Sequence, residues 1–331
     1  MAAARRSDPA DLRWMGAALA LAERGIGPSA PNPAVGCVIV RDGVVVGRGW
    51  TQPGGRPHAE AMALAQAGEK SRGATAYVTL EPCAHMSPRG PACADLLADA
   101  GLARVVAALT DPDPRTAGKG FARLEAAGIA VTQGAASGRA QHQLAGFSSR
   151  TTRGRPLVTL KLATSLDGQI ALPDGSSRWI TGERARAHAH LERSRHDAIL
   201  VGRGTLERDA PRLDVRLPGL ETRSPRRLLL SAHNTAPPEG WTLVKRPQDI
   251  ALLGDSQSLL VEGGAWAAAA FLKAGLVDRL LLYRAPILIG LGKAALGDIG
   301  LDALGDAHGR WQLIEARQLG KDRMELYQSA A

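Results

Sequence analysis

The chain has 331 residues, 45% apolar and 22% charged, with a formal net charge of +9. That composition is globular and about twice a single-domain length, which excludes a wholly disordered chain, a collagen-like repeat or a coiled coil and predicts two domains. No stretch nears the roughly 18 apolar residues of a membrane span, and residues 1–6 do not read as a signal peptide, so a cytoplasmic protein is expected.

An excess of 41 Lys and Arg over 32 Asp and Glu suggests an anionic partner. The basic residues are scattered, however, and six Trp, three Tyr and three Phe are poor material for base stacking. The charge reads first as a solvated, Arg-biased surface, and next as a sign of a phosphate-bearing ligand rather than nucleic acid or a membrane.

In chain order, Asp8-Pro9 opens a helix that ends near Gly25, with Asp8 as N-cap and Pro9 in the first turn. Residues 35–40 and 44–46, joined by Arg41-Asp42-Gly43, read as a β-hairpin. A helix over 58–70, a strand over 76–80, a helix over 94–100, a strand over 103–109, a helix over 121–127 and a strand over 129–132 complete an α/β domain with helices on both faces of its sheet. The polar, basic stretch 148–156 is expected to be a linker between domains 1–147 and 157–331. The second series has strands over 157–163, 198–201, 227–230, 258–261 and 279–285, and helices over 181–195 (Gly182 just inside its start) and 265–274. Residues 210–225 and 233–240 read as loops. Gly202-Arg203-Gly204 follows a strand, but the dinucleotide fingerprint fails at Glu207.

Three cysteines cannot form a disulfide framework. Cys37 lies in an apolar run and reads as a buried small side chain. His58 starts a helix, Cys83 ends a strand in Glu81-Pro82-Cys83, and Cys93 starts another helix. One imidazole and two thiolates make a three-ligand zinc set with a fourth position open to water, whose pKa such an ion lowers to roughly 7. Glu60, two residues after His58, can reach the same cavity without ligating and carry protons from that water to a departing amine. This is the zinc-deaminase pattern H-x-E followed by P-C, except that the second cysteine comes after nine intervening residues instead of two. The alternative is a closed structural zinc with His85 as fourth ligand, in which Glu60 has no role. His142 and His308 read as structural; His188, His190 and His196, on an Arg-rich helix, read as surface.

The run Pro31-Asn32-Pro33-Ala34-Val35-Gly36-Cys37, then His58-Ala59-Glu60 and Thr79-Leu80-Glu81-Pro82-Cys83-Ala84-His85, resembles the deaminase half of the bifunctional riboflavin-biosynthesis RibD family. Leu160-Lys161-Leu162-Ala163-Thr164-Ser165-Leu166-Asp167-Gly168, Trp179-Ile180-Thr181-Gly182, Val261-Glu262-Gly263-Gly264 and Gly275-Leu276-Val277-Asp278 resemble its reductase half. The resemblance implies a cytidine-deaminase-like three-layer α/β/α domain followed by a dihydrofolate-reductase-like α/β domain. It implies zinc-dependent deamination of 2,5-diamino-6-(5-phosphoribosylamino)pyrimidin-4-one, then NADPH-dependent reduction of the ribosyl group to ribityl, and association of copies through the second domain.

Carried over by position, His58, Cys83 and Cys93 match zinc ligands, Glu60 the proton shuttle and Asn32 a pocket residue. Ala163, Trp179, Thr205, Asp209, Ser231 and the run Gly264, Ala265, Trp266, Ala267, Ala268, Ala269, Ala270 match NADPH contacts. Ser177, Arg193, Leu213, Arg216 and Glu262 match substrate contacts, with Arg193 and Arg216 suited to a ribose phosphate. Lys161 is a further polar anchor near the sugar, and Asp209 a candidate acid for the reduction. The loop between the zinc cysteines is one residue longer than the commonest family pattern, with Met86-Ser87-Pro88-Arg89-Gly90 in place of its usual residues. Two other readings remain open from sequence: a deaminase whose second half has lost redox activity, and an RNA-binding module that exploits the basic charge.

Overall fold

A computed structural model describes residues 8–233 and 236–330. Residues 1–7 and part of the loop expected over 233–240 therefore lie outside the described residues. The chain divides into two compact units, Met1–Gly154 and Arg155–Ala331.

The first unit begins as its caps dictate. Asp8 Oδ1 accepts the Ala10 amide at 2.8 Å, satisfying a free N–H at the start of α1 (Pro9–Ala22), and Pro9 supplies the fixed φ of the first turn. The remaining elements are β1 (Gly36–Arg41), β2 (Val44–Trp50), α2 (Ala59–Ala67), β3 (Thr75–Val78), α3 (Cys93–Asp99), β4 (Arg104–Ala107), α4 (Lys119–Ala126), β5 (Ala130–Gln133), α5 (Ser137–Gln143) and α6 (Ala145–Arg153). The five strands are ordered β2-β1-β3-β4-β5; β1 is antiparallel to β2 and β3, and β3, β4 and β5 run parallel.

Alternation along β1 divides the core. Val38 and Val40 pack under Met15, Ala18 and Leu19 of α1. Cys37 and Ile39 face the opposite layer, with Ala59 and Ala63 of α2, Leu97 of α3 and Leu124 of α4. Three layers result. The helix carrying Glu60 lies unusually close to its sheet: a Cβ at Gly47 would stand 2.2 Å from the Ala63 carbonyl oxygen, and one at Gly49 2.1 Å from that of Ala59. Glycine there is a steric requirement for seating α2.

The stretch expected as a linker is mostly helix. Residues 148–153 form the last two thirds of α6, and the chain leaves it through Gly154, in the left-handed region at φ 68°. Ser149 alone in this helix is fully buried, and its hydroxyl receives the Arg153 guanidinium at 2.9 Å. The polar composition marks a solvated helix face.

The second unit contains β6 (Leu157–Thr164), β7 (Gln169–Ala171), α7 (Glu183–Ser194), β8 (Ala198–Gly202), α8 (Arg203–Asp209), β9 (Arg226–Leu230), β10 (Trp241–Val244), β11 (Ser258–Val261), α9 (Ala265–Lys273), β12 (Arg279–Arg284), β13 (Lys293–Ala294), β14 (Trp311–Leu319) and β15 (Asp322–Ser329). Its main sheet is ordered β10-β9-β8-β11-β6-β12-β15-β14. The first six of these strands are parallel, and the C-terminal hairpin adds antiparallel at one edge. Leu160, Leu200, Leu228 and Leu259 meet Ala268 and Phe271 of α9 in the core. Both units are therefore α/β, as the alternation of elements predicts.

Two expectations change here. Gly182 is the N-cap of α7 and not its first residue, its extended backbone (φ −74°, ψ 177°) preceding the helix. His188 and His196 are not surface residues: His188 Nδ1 meets the buried Tyr283 hydroxyl at 2.8 Å, and His196 bridges the Glu192 carbonyl and the Thr159 hydroxyl. His188 on α7 and His196 just after it both turn toward the sheet, where their polar atoms find partners.

Candidate active sites

In the first unit, three elements deliver three ligand atoms to one point. His58 is the N-cap of α2, Cys83 follows β3, and Cys93 is the first residue of α3. His58 Nδ1 lies 3.3 Å from Cys93 Sγ and 3.6 Å from Cys83 Sγ, and all three atoms fall within 4.8 Å of one another. A tetrahedral zinc with bonds of 2.0–2.3 Å separates nitrogen and sulfur ligands by about 3.5 Å, so the donor set fits that ion. Among the described residues this is the one such cluster of His, Cys, Asp and Glu.

The surroundings orient the ligands. The other ring nitrogen of His58, Nε2, meets the Asn32 amide at 3.0 Å, which fixes the ring with Nδ1 toward the sulfurs. Arg89 in turn donates to Asn32 Oδ1 at 3.3 Å and to the Gly54 carbonyl at 3.1 Å. The Cys93 amide donates to Cys83 Sγ at 3.3 Å. Hydrogen bonds from Cys93, then from His58, pull the Cys83 thiol well below the ordinary thiol range. The proximity of Cys83, together with burial and Glu60, pushes Cys93 up. His85 is engaged elsewhere, its Nδ1 against the Thr116 hydroxyl at 3.2 Å, and it is not part of the ligand cluster.

Glu60 is 3% exposed and lies beside Cys93 and His58. Burial pushes its carboxyl above the usual range, against the opposing pull of His58. A carboxyl raised in this way holds a proton more readily than an exposed one, as a group that carries protons must.

The second unit gathers its candidates by topology. Ala163 is near the end of β6, Thr205 and Asp209 are on α8 directly after β8, Ser231 follows β9, and Glu262 and Gly264 follow β11. These strands are parallel, so the residues share the carboxyl edge of the sheet, where open α/β sheets bind ligands. Thr205 Oγ1 accepts the Gly264 amide at 3.1 Å, tying α8 to the start of α9. Glu262 is held by Arg193 through two bonds of 2.8 and 2.9 Å, with Lys161 Nζ at 3.6 Å. Burial alone would raise its carboxyl; Lys161 and Arg193 hold it down, to about 2.

The residues carried over by position differ in how open they are. Ala267, Ala268 and Ala269 face inward, at most 4% exposed, because three consecutive positions of α9 cover the sheet. The open end of that helix narrows to Gly264, Ala265 and Trp266, with Ala270 half-buried further along. Leu213 packs with Ile199, Val201 and Leu260, so its side chain belongs to the core. Arg193 spends its guanidinium on Glu262 and on the Asp214 carbonyl at 3.0 Å, which leaves Arg216 the more available cation. Arg216, with Arg212 and Ser224, lines a cleft of about 500 Å³. Ser177 is half-buried in the loop before α7; Trp179 is exposed in that loop, its ring 4.7 Å from the Arg186 guanidinium.

The chain was compared with known families and structures. The family model for the cytidine and deoxycytidylate deaminase zinc-binding region matches residues 9–109, and that for the RibD C-terminal domain matches 156–253 and 252–324. The riboflavin biosynthesis protein RibD of Escherichia coli is 40% identical, with 94% of this chain and 97% of that protein covered; that of Haemophilus influenzae is 39% identical, with 94% and 95% covered.

The chain belongs to the RibD family.

Solved RibD structures agree in fold. That of Acinetobacter baumannii has a TM-score of 0.86 at 36% identity, covering 97% of this chain and 99% of its own. The deaminase/reductase of Thermotoga maritima has a TM-score of 0.87 at 30% identity, with the same coverage. As a RibD enzyme the chain is a bifunctional deaminase and reductase of riboflavin biosynthesis, with a zinc-binding deaminase domain and an NADPH-using reductase domain. No helix among the described residues is long and apolar enough to cross a membrane.

Sequence reasoning missed the polar shell behind these sites. Glu81, Asp111 and Thr116 surround the Cys83 loop, and Tyr283 lies beneath Lys161, whose Nζ is 5.9 Å from its ring centroid. The Glu81-Pro82-Cys83 run marked the ligand Cys83 but carried no sign of the main-chain amides that Glu81 holds. Nothing in sequence signalled Tyr283.

Proposed function

We propose that the first unit hydrolyses the exocyclic amine of 2,5-diamino-6-(5-phosphoribosylamino)pyrimidin-4(3H)-one and that the second reduces the ribosyl group of the resulting uracil to ribityl. The observation that carries the reading is the convergence of His58, Cys83 and Cys93 beside a buried Glu60, in a chain whose relatives it matches through both halves. The name of the Thermotoga maritima protein describes the same two half-reactions.

Held by those three residues, zinc supplies a Lewis acid that makes water nucleophilic at neutral pH. Glu60 takes one proton from the attacking water and delivers it to the ring nitrogen, then carries the second, from the hydroxyl left on the carbon, to the departing amine, so that N=C–NH2 and H2O become HN–C=O and NH3. Asn32 holds the His58 ring and presents amide edges that both donate and accept. In the reductase half, NADPH supplies the hydride. The Gly264 turn and the start of α9 offer backbone N–H groups to a phosphate. Arg216 faces the ribose phosphate, and Glu262 with Lys161 and Arg193 forms a polar floor at the sheet edge. Asp209 is the candidate acid.

The same reading places the protein in the cytoplasm, where its thiol ligands stay reduced. It also places a homo-oligomeric contact on the second unit, which exposes Leu288, Leu291, Leu313 and Ile314.

The test follows ammonia release and NADPH oxidation together on the diaminopyrimidine substrate, with zinc measured on the same sample. About one zinc per chain, with ammonia appearing before NADPH is consumed, is expected. Ammonia without NADPH oxidation would leave only the deaminase, and salt-sensitive RNA binding without either reaction would favour the RNA module.

A further inference from the structure

Glu81 is buried, 3% exposed, and takes no part in the chemistry above. Its side chain nonetheless receives four backbone donors. Oε1 accepts the amides of Gly120 at 2.9 Å and Phe121 at 3.3 Å; Oε2 accepts those of Asp111 at 3.1 Å and Gly118 at 3.0 Å. Its own amide donates to the Leu109 carbonyl at 2.8 Å. One side chain thus gathers the exit of β4 and the start of α4 around the residue two positions before Cys83.

The arrangement reaches both sulfur ligands. Gly120 fits against this segment without spare room, since a Cβ there would stand 2.1 Å from the Pro82 carbonyl oxygen. Helix α4 packs on α3, whose first residue is Cys93. The same wrapping segment holds His85 through Thr116, so the Cys83 loop is gripped on both sides. The other ties on this loop, Arg89 to Asn32 and to the Gly54 carbonyl, lie toward its exposed tip, whereas the Glu81 bonds lie at its buried root.

From this geometry we infer that Glu81 is a positioning residue for the metal centre: its carboxylate clamps residues 111–121 onto the Pro82-Cys83 turn and so fixes both thiolates at ligand spacing. The inference rests on the reading that Cys83 and Cys93 hold the ion.

What matters is two acceptor oxygens, not shape. An amide of identical size would turn its NH2 toward two N–H donors and leave both unpaired in a buried site. Glutamine at this position is therefore disruptive despite its volume, whereas aspartate is shorter but keeps both acceptors.

The experiment uses the full-length zinc enzyme and compares Glu81→Gln, Glu81→Asp and Cys83→Ser. Zinc release to a chelator is timed, the visible spectrum of the cobalt-substituted protein is recorded, and both half-reactions are assayed. Expected is zinc release at least tenfold faster in Glu81→Gln, and an altered cobalt spectrum. Its ammonia-release kcat falls with little change in KM, while reduction of the deaminated intermediate stays within twofold of wild type. Glu81→Asp is expected to retain zinc better than Glu81→Gln. Retention by Glu81→Gln equal to or better than that of Glu81→Asp overturns the clamp, even if both variants lose stability. Unaltered zinc retention in Glu81→Gln alongside loss in Cys83→Ser overturns the clamp and leaves the ligand assignment standing; retention in Cys83→Ser as well overturns both.

Discussion

On the proposed reading, a single carboxylate decides the first reaction. Glu60 is two residues from His58 on the first turn of α2, near enough to serve the cavity and held out of the ligand set. Glu60→Gln is expected to keep its zinc, lower ammonia release by about 10²–10⁴-fold and leave reduction of the intermediate intact; metal analysis with the two half-assays checks this, and loss of zinc would show a structural role instead. Glu262 supports a pH prediction. Its carboxyl is pulled down to about 2 in the fold and returns to about 4.3 when the chain unfolds. The pair's stabilisation is thus fully present above about pH 4.3 and disappears as pH falls toward about 2. Denaturant titrations should show this decline in wild type and its absence in Glu262→Gln, which at neutral pH should be less stable by about 3 kcal/mol because Lys161 and Arg193 lose their counter-charge. His58, Glu60, Cys83 and Cys93 were legible in sequence because metal chemistry restricts residue type and spacing. Glu81 was not, because its partners are main-chain amides some 30 to 40 residues away, and a backbone donor has no sequence signature.

Elements were readable where periodicity was undisturbed. The β1–β2 hairpin announces itself through Arg41-Asp42-Gly43, and α9 through its glycine start and Gly275 stop. The β14–β15 hairpin did not, because Glu315, Arg317, Asp322, Arg323 and Glu325 interrupt its apolar alternation, and Glu325 is buried only by virtue of Arg284 and Arg323. Helix α6 was hidden by its own solvated face. The seating of α2 gives a prediction at this scale. Gly49→Ala forces a methyl group against the Ala59 carbonyl and must lift the helix that follows His58 and carries Glu60. Overpacking of this kind costs about 1–3 kcal/mol. Calorimetry should show a lowered transition for the first unit, and zinc content and ammonia release should fall while NADPH oxidation on the intermediate persists. Unchanged zinc content would mean that α2 does not depend on that close approach.

The molecule has two main sheets of different construction, five strands with a mixed start and eight strands with a parallel majority. The sequence disclosed both through their alternating elements, but not the strand orders, which depend on pairing between distant segments. The net charge of +9 acts at the scale of the whole surface. An anionic phosphorylated substrate should be drawn in at low ionic strength, so KM should rise as salt is raised from about 0.01 to 0.1 M and the screening length shrinks from about 30 to 10 Å. A salt-independent KM would confine recognition to the immediate pocket. The position of β6 carries one last consequence. It is the first strand of its unit, yet its two neighbours are β11 and β12, which begin 94 and 115 residues after β6 ends. On the ribosome, the first unit has its full set of strands and helices by residue 154, while β6 must wait with both edges bare until nearly the whole polypeptide has emerged. During synthesis, exposure to misassociation therefore falls on the reductase half.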